Sequence, residues 1–198
     1  MSRRAARASL KRRASPSAPR RAAVRFAVTF AVLAAVLFAL YAFPYAEHGI
    51  SERLLRGYLN GYARVAGGIL AIFDSRVVVD GNVVSGRAAV SIVKTCDAME
   101  ANLLFLAAVL AFPAAPGAAL RRWPRKLLAA LIGMVAISAL NVVRICSLYA
   151  VGVYFPSAFE LLHVEVWPLL LIIAAAAIFA AAARFLSRPP ALQPAAAA

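Results

Sequence analysis

Residues 127–155 read LLAALIGMVAISALNVVRICSLYAVGVYF, an apolar run with one charge in it, Arg144. The run exceeds the ~20 residues a helix needs to cross the hydrocarbon core of a bilayer. Arg144 lies 17 residues after Leu127, an advance of about 26 Å through a core of ~30 Å. The guanidinium therefore falls just inside the far boundary. A charge at that depth faces a bundle interior, a partner or a cavity, or it snorkels to the headgroups. Asn141, three residues earlier, shares the same helical face, which reads as a polar stripe.

On the N-terminal side the run is preceded by Arg121, Arg122, Arg125 and Lys126. Basic connections beside spans mark the cytoplasmic side. Further basic residues crowd the N-terminus, from Arg3 to Arg25, and Arg184 and Arg188 close the last apolar run. The eight acids, among them Glu100, Glu160 and Glu165, avoid those basic segments. A formal net charge of +14 distributed in this way is a topogenic signal, and no nucleic-acid partner is expected. Hydrophobic residues make up 64% of the 198, and mean hydropathy is +0.80. A soluble core of this size could not bury so much apolar surface, so membrane lipid is the expected partner of most side chains.

Three more apolar runs follow the same logic. Residues 23–43 end at Pro44, residues 96–112 stop before Pro113 and Pro116, and a last run starts at Trp167-Pro168 and ends near Leu186. The expected fold is an all-α integral membrane protein with about four transmembrane helices, an outer amphipathic helix and a short β-hairpin. Residues 51–73 supply the amphipathic helix, placed on the outer interface through Leu54, Leu55, Tyr58, Leu59 and Tyr62. The hairpin signal is Val77–Val84, with Asp80-Gly81 as its two-residue turn. Residues 1–22 read as a disordered basic cytoplasmic tail, 23–188 as one membrane domain, and 189–198 as a disordered tail. Both termini then face the cytoplasm of a multi-pass protein of the cell inner membrane.

Three reactive side chains converge under this topology. Cys96 begins a span running inward, so it sits at a helix N-terminus, where the dipole favours thiolate. On spacing alone a small buried structural cysteine is the commoner use of such a residue. His163 lies just upstream of Trp167, on the outer side, with Glu160 placed to orient the ring if that stretch is helical. A histidine in a loop is more often inert, and His48 is a second candidate by type. Together with Arg144, however, these residues form the set used in acyl transfer: a nucleophile, a general acid/base, and a cation for a developing negative charge. Cys96 and Cys146 form neither a CxxC nor a metal-ligand spacing, and no metal or cofactor is expected. A disulfide between them is geometrically open and would quench the nucleophile.

Cys96-Asp97-Ala98-Met99-Glu100-Ala101-Asn102, then Asn141-Val142-Val143-Arg144-Ile145, then His163 after Phe159-Glu160 resemble the exosortase/archaeosortase family, most closely its exosortase H class. Many members have glycine two residues after the cysteine, where this chain has Ala98. The resemblance covers roughly residues 90–175. It implies a cysteine peptidase/transpeptidase whose active site faces the periplasm. Its partners would be exported proteins that end in a short motif (IPTL in type), a transmembrane helix and a basic tail. Carried over by motif, Cys96 is the nucleophile, Arg144 the electrostatic stabiliser and His163 the acid/base, with Asn141, Glu100 and Glu160 supporting them. The rival readings are a non-catalytic membrane assembly or scaffold protein and a channel or transporter subunit. No second intramembrane charge lies deeper to line a path, which disfavours the channel.

Overall fold

The computed structural model describes residues 17–42, 50–93, 98–113 and 119–188. Helix α1 is Ser17–Ala42, α2 Ile50–Ala71, α3 Met99–Ala111 and α4 Ala119–Tyr154. A final helical stretch, α5, runs continuously over Pro156–Ser187. Between α2 and α3 lie β1 (Val78–Asp80), β2 (Val83–Ser85) and β3 (Ala89–Ser91), an antiparallel sheet in the order β1-β2-β3. Among the described residues three helices are long and apolar enough to cross a membrane: Arg20–Ala42, Trp123–Tyr154 and Pro156–Ser187. The all-α membrane fold expected from composition is what forms.

The fourth expected span is α3, and it is short. At 13 residues it is about 20 Å long, less than the ~30 Å hydrocarbon core. It can be short because it is interior: α1, α4 and α5 all pack against it. Phe105, Ala107, Ala108 and Val109 are buried on it. Its closest fit is to α4, where Gly133 receives the Phe105 ring; a Cβ on Gly133 would overlap that ring.

Cross-links fix the height of this bundle. At one end Arg125 donates to the carbonyls of Phe185 and Arg188 at 2.6 and 2.9 Å, and Lys126 donates to Leu110 O at 2.8 Å. At the other end Arg144 reaches the main chain of His163. Lys126 and Arg144 are 18 residues apart on one helix, about 27 Å, close to one hydrocarbon thickness. Helix α4 continues ten residues beyond Arg144, roughly 15 Å, which brings it into the headgroup layer and the small sheet.

Two apolar cores follow from this. One joins Phe105 and Val109 to Ala129, Ala130, Ile137 and Leu186 within the bundle. The other joins Leu59, Tyr62, Ala63, Ala66 and Leu70 of α2 to Val84, Val90 and Ile92 near the sheet and to Ile145 and Tyr149 of α4. Asn141 and Arg144 lie on α4 between the two.

Helix α2 is amphipathic as expected, but it packs lengthwise along α4 rather than lying flat across its end. Tyr58 and Tyr62 share a groove with Leu131, Met134 and Val142, while Ile69 and Leu70 meet Cys146, Tyr149 and Ala150. Its small residues Ala63 and Ala66, both fully buried, allow this close approach. The hairpin also forms, but one residue later than expected. Asp80 pairs with Val83, so the turn is Gly81-Asn82, and Gly81 carries the positive φ of 57°. The third strand has no counterpart in the sequence reading. It pairs with β2, Val83 opposite Ser91 and Val84 opposite Val90, and Asn82 extends the pairing, donating its side-chain amide to Ile92 O at 2.8 Å while its main-chain carbonyl accepts from Ile92 N at 2.9 Å.

Candidate active site

Arg144 is 5% exposed and Asn141 is fully buried, so the snorkelling alternative for Arg144 does not hold. Its Nη2 donates to the main-chain carbonyl of His163 at 3.4 Å. The local sequence explains why that carbonyl is offered. Residues Leu162–Val166 form a π-helical turn in which the Trp167 N–H goes to Leu162 O. The next residue, Pro168, has no N–H to give. Neither intrahelical donor that could close on His163 O does so, and the guanidinium takes that role. His163 therefore lies within the continuous α5 helix, not in a loop before it, and π-turns of this kind recur at functional sites.

Beside this contact is a cavity of about 260 Å³ whose walls include Ser91, Ile92, Arg144, Ile145, Phe159 and His163. Phe159 holds the imidazole edge-on, with ring centroids 5.5 Å apart. The Arg144 guanidinium and the Glu160 carboxylate are both within electrostatic range of the imidazole. Glu160 is one helical turn before His163 and is exposed. Glu100, in the first turn of α3, is exposed too, and lines no part of this cavity. Asn141 is one turn below Arg144 on the same face, without reaching the cavity wall.

Cys96 lies outside the described residues, as does His48. In sequence Cys96 is four residues after Ile92, which forms part of the cavity wall, and two before Ala98. The resemblance would put glycine at Ala98. Its φ of 56° and ψ of 11° are left-handed, a conformation that costs an alanine roughly 1–2 kcal/mol and glycine almost nothing. Cys146 points the other way on α4, donating from Sγ towards Ala66 O at 3.8 Å.

Two polar groupings escaped the sequence reading. Asn102 is 3% exposed within α3, and its amide donates to Ser138 Oγ at 3.2 Å. Its Oδ1 has no hydrogen-bond partner among the described residues. Ser138, Asn141 and Arg144 thus extend the stripe by one turn, and a polar residue inside so apolar a helix was the available signal for Asn102. The second grouping is centred on Tyr149. Its hydroxyl donates to Asp74 Oδ2 at 3.0 Å and accepts from the Arg87 N–H at 3.0 Å. Gly86 makes room for it, since a Cβ there would overlap the hydroxyl. Asp74 ionises below the ordinary aspartate value of 3.8, first because the Arg76 N–H bonds its carboxylate, then through Tyr149 and the Arg87 and Arg76 cations, against partial desolvation. Contacts spanning 62 and 75 residues leave no local trace in the sequence.

A family model described as transmembrane exosortase matches residues 22–181 of the chain. No curated protein and no solved structure matches it.

Proposed function

Because the chain belongs to the transmembrane exosortase family, we propose that it is a membrane-embedded cysteine peptidase/transpeptidase. It would cleave the C-terminal sorting signals of exported proteins at the outer face of the inner membrane and pass the product to an acceptor. The observation that carries this reading is the buried Arg144 guanidinium at a cavity it shares with His163, one hydrocarbon thickness from the basic end of the bundle. In sequence, Cys96 follows Ile92 of the cavity wall by four residues.

The chemistry follows from these groups. The Cys96 thiolate adds to the carbonyl carbon of the scissile peptide, and the carbonyl oxygen takes up the negative charge. Arg144 stabilises that oxyanion. A permanently charged donor in a low-dielectric site is worth more there than in water and needs no reorganisation. As the tetrahedral species collapses, the C–N bond breaks and the protonated His163 ring gives its proton to the departing amine. A thioester remains on Cys96. The acceptor nucleophile, or water, then loses a proton to neutral His163 as it adds to the thioester carbon, and the thiolate leaves. In this reading Asn141 and Glu160, each one helical turn from Arg144 and His163 on their own helices, orient those groups, and Glu100 supplies a charge near the start of α3.

The test uses the full chain in membranes with an exported protein bearing a motif, a helix and a basic tail at its C-terminus. Cys96→Ala and His163→Gln should leave that substrate at full length, while the wild type shortens it. Unaltered processing by Cys96→Ala or by Cys96→Ser removes the nucleophile assignment and leaves the scaffold reading.

A further inference from the structure

On the opposite side of α4 from the Arg144–His163 cavity is a second one, of about 460 Å³. Val143, Cys146 and Ala150 of α4, with Ile69 of α2, make an apolar wall, and Asp74, Arg87, Tyr149 and Tyr154 gather at its polar end. Its volume is in the range of small-molecule sites. Its height is set by the bundle: Val143 is level with Arg144 at the edge of the hydrocarbon, and Tyr154 is about 15 Å further along the helix. The cavity therefore spans the headgroup layer. Ile72, Phe73, Tyr154 and Phe155 are each more than 60% exposed at this end, as expected of residues in contact with lipid at an interface.

The polar end holds one acid and one base with spare capacity. Asp74 uses one hydrogen bond on each oxygen, from Arg76 N–H and Tyr149 O–H, whereas a carboxylate has about four acceptor sites. The Arg87 guanidinium lies over the Tyr154 ring, with Cζ 5.5 Å from the centroid. Among the described residues no carboxylate lies within ion-pairing distance of it. Arg87 is exposed, and its guanidinium carries five donors.

We propose that this cavity binds an aminophospholipid, with the phosphate on Arg87, the primary ammonium on Asp74 and the acyl chains against Val143 and Ile69. The charge pattern selects the headgroup. An anionic headgroup without an amine satisfies Arg87 but is repelled by Asp74. A trimethylammonium headgroup carries the charge but has no N–H to give to the carboxylate. A bound lipid of this kind would link the sheet, α2 and the end of α4, all of which meet at Tyr149. The site faces away from Arg144 and requires no chemistry from it, so the proposal stands or falls separately from the sorting reaction.

The experiment is native mass spectrometry of the full chain in detergent, with equal amounts of phosphatidylethanolamine, phosphatidylglycerol and phosphatidylcholine. One phosphatidylethanolamine should be retained in preference to the other two by about tenfold, the worth of one charge-assisted hydrogen bond. Asp74→Asn should bring phosphatidylethanolamine and phosphatidylglycerol to parity. Arg87→Gln, at an exposed position, should lose retention of both. Free phosphoethanolamine in excess should not displace the lipid; displacement would show that the site takes a soluble headgroup compound and would overturn the lipid assignment. Equal retention of all three lipids by the wild type, or a preference that survives Arg87→Gln, overturns the proposal. If Asp74→Asn fails to fold, the wild-type competition and Arg87→Gln decide it.

Discussion

Arg144 donates to the main-chain carbonyl of His163, and Pro168, five residues beyond His163, is what leaves that carbonyl to it. A residue with no N–H thus helps to leave open a carbonyl that a guanidinium on another helix reaches. Pro168→Ala supplies the missing donor and lets the π-helical turn close on itself. The helix should gain about 1 kcal/mol from the new hydrogen bond, seen as a higher melting temperature in detergent, while processing of a sorting-signal substrate falls because Arg144 loses its anchor.

The charge at position 144 is not enough by itself. Arg144→Lys keeps a cation but loses the planar fork of donors that can hold His163 O and still face the cavity. The expected loss of processing is about 10²–10³-fold, the usual effect of removing one oxyanion donor, with the protein still folded by circular dichroism. Wild-type rates in Arg144→Lys would show that only a point charge is required.

Ala98 holds a left-handed backbone conformation two residues after Cys96. Ala98→Gly should raise stability by about 1 kcal/mol by removing the Cβ clash, less the extra entropy of glycine in the unfolded chain. Processing should be retained. A melting temperature that drops on this change would mean the methyl group contributes more through its buried packing than it costs in backbone strain.

Packing of the short helix α3 depends on Gly133. Gly133→Ala places a Cβ into the Phe105 ring and should cost about 1–3 kcal/mol as an overpacked core. A Phe105→Leu change in the same chain should recover part of that loss, which a thermal-melt double-mutant comparison would measure.

The bonds that Asp74 accepts, first from the Arg76 N–H and then from Tyr149, predict the sign of one acid effect. Asp74 ionises below its ordinary value of 3.8 in the folded chain, so its contribution to stability is fully present above that value. It is lost as pH falls through the lower, folded value. Melting temperatures recorded downward from pH 5 should therefore fall less steeply for Asp74→Asn than for the wild type. Identical acid profiles would mean that these interactions of the Asp74 carboxylate do not couple to folding.

Some of this was legible from residue order alone because it depends on period and length. The apolar runs, the depth of Arg144 and the pairing of Asn141 with it on one face follow from a rise of 1.5 Å per residue and a bilayer of fixed thickness. The amphipathic stripe of α2 and the existence of the hairpin follow in the same way. The family motif at residues 96–102, 141–145 and 163 was likewise visible as residue types at intervals. Tertiary structure alone decided where these elements meet. It placed α2 along α4, because small residues on α2 permit close approach. It shortened α3, because a helix surrounded by others need not match the bilayer. It drew His163 into a π-helical turn in which the Trp167 N–H goes to Leu162 O and Pro168 has no N–H to give His163 O; residue order shows the proline but not which carbonyl lacks a donor. The Asn102–Ser138 contact and the Tyr149 junction join residues 36 to 75 positions apart. Local propensity has no term for such distances; only the packed chain brings those groups within bonding range.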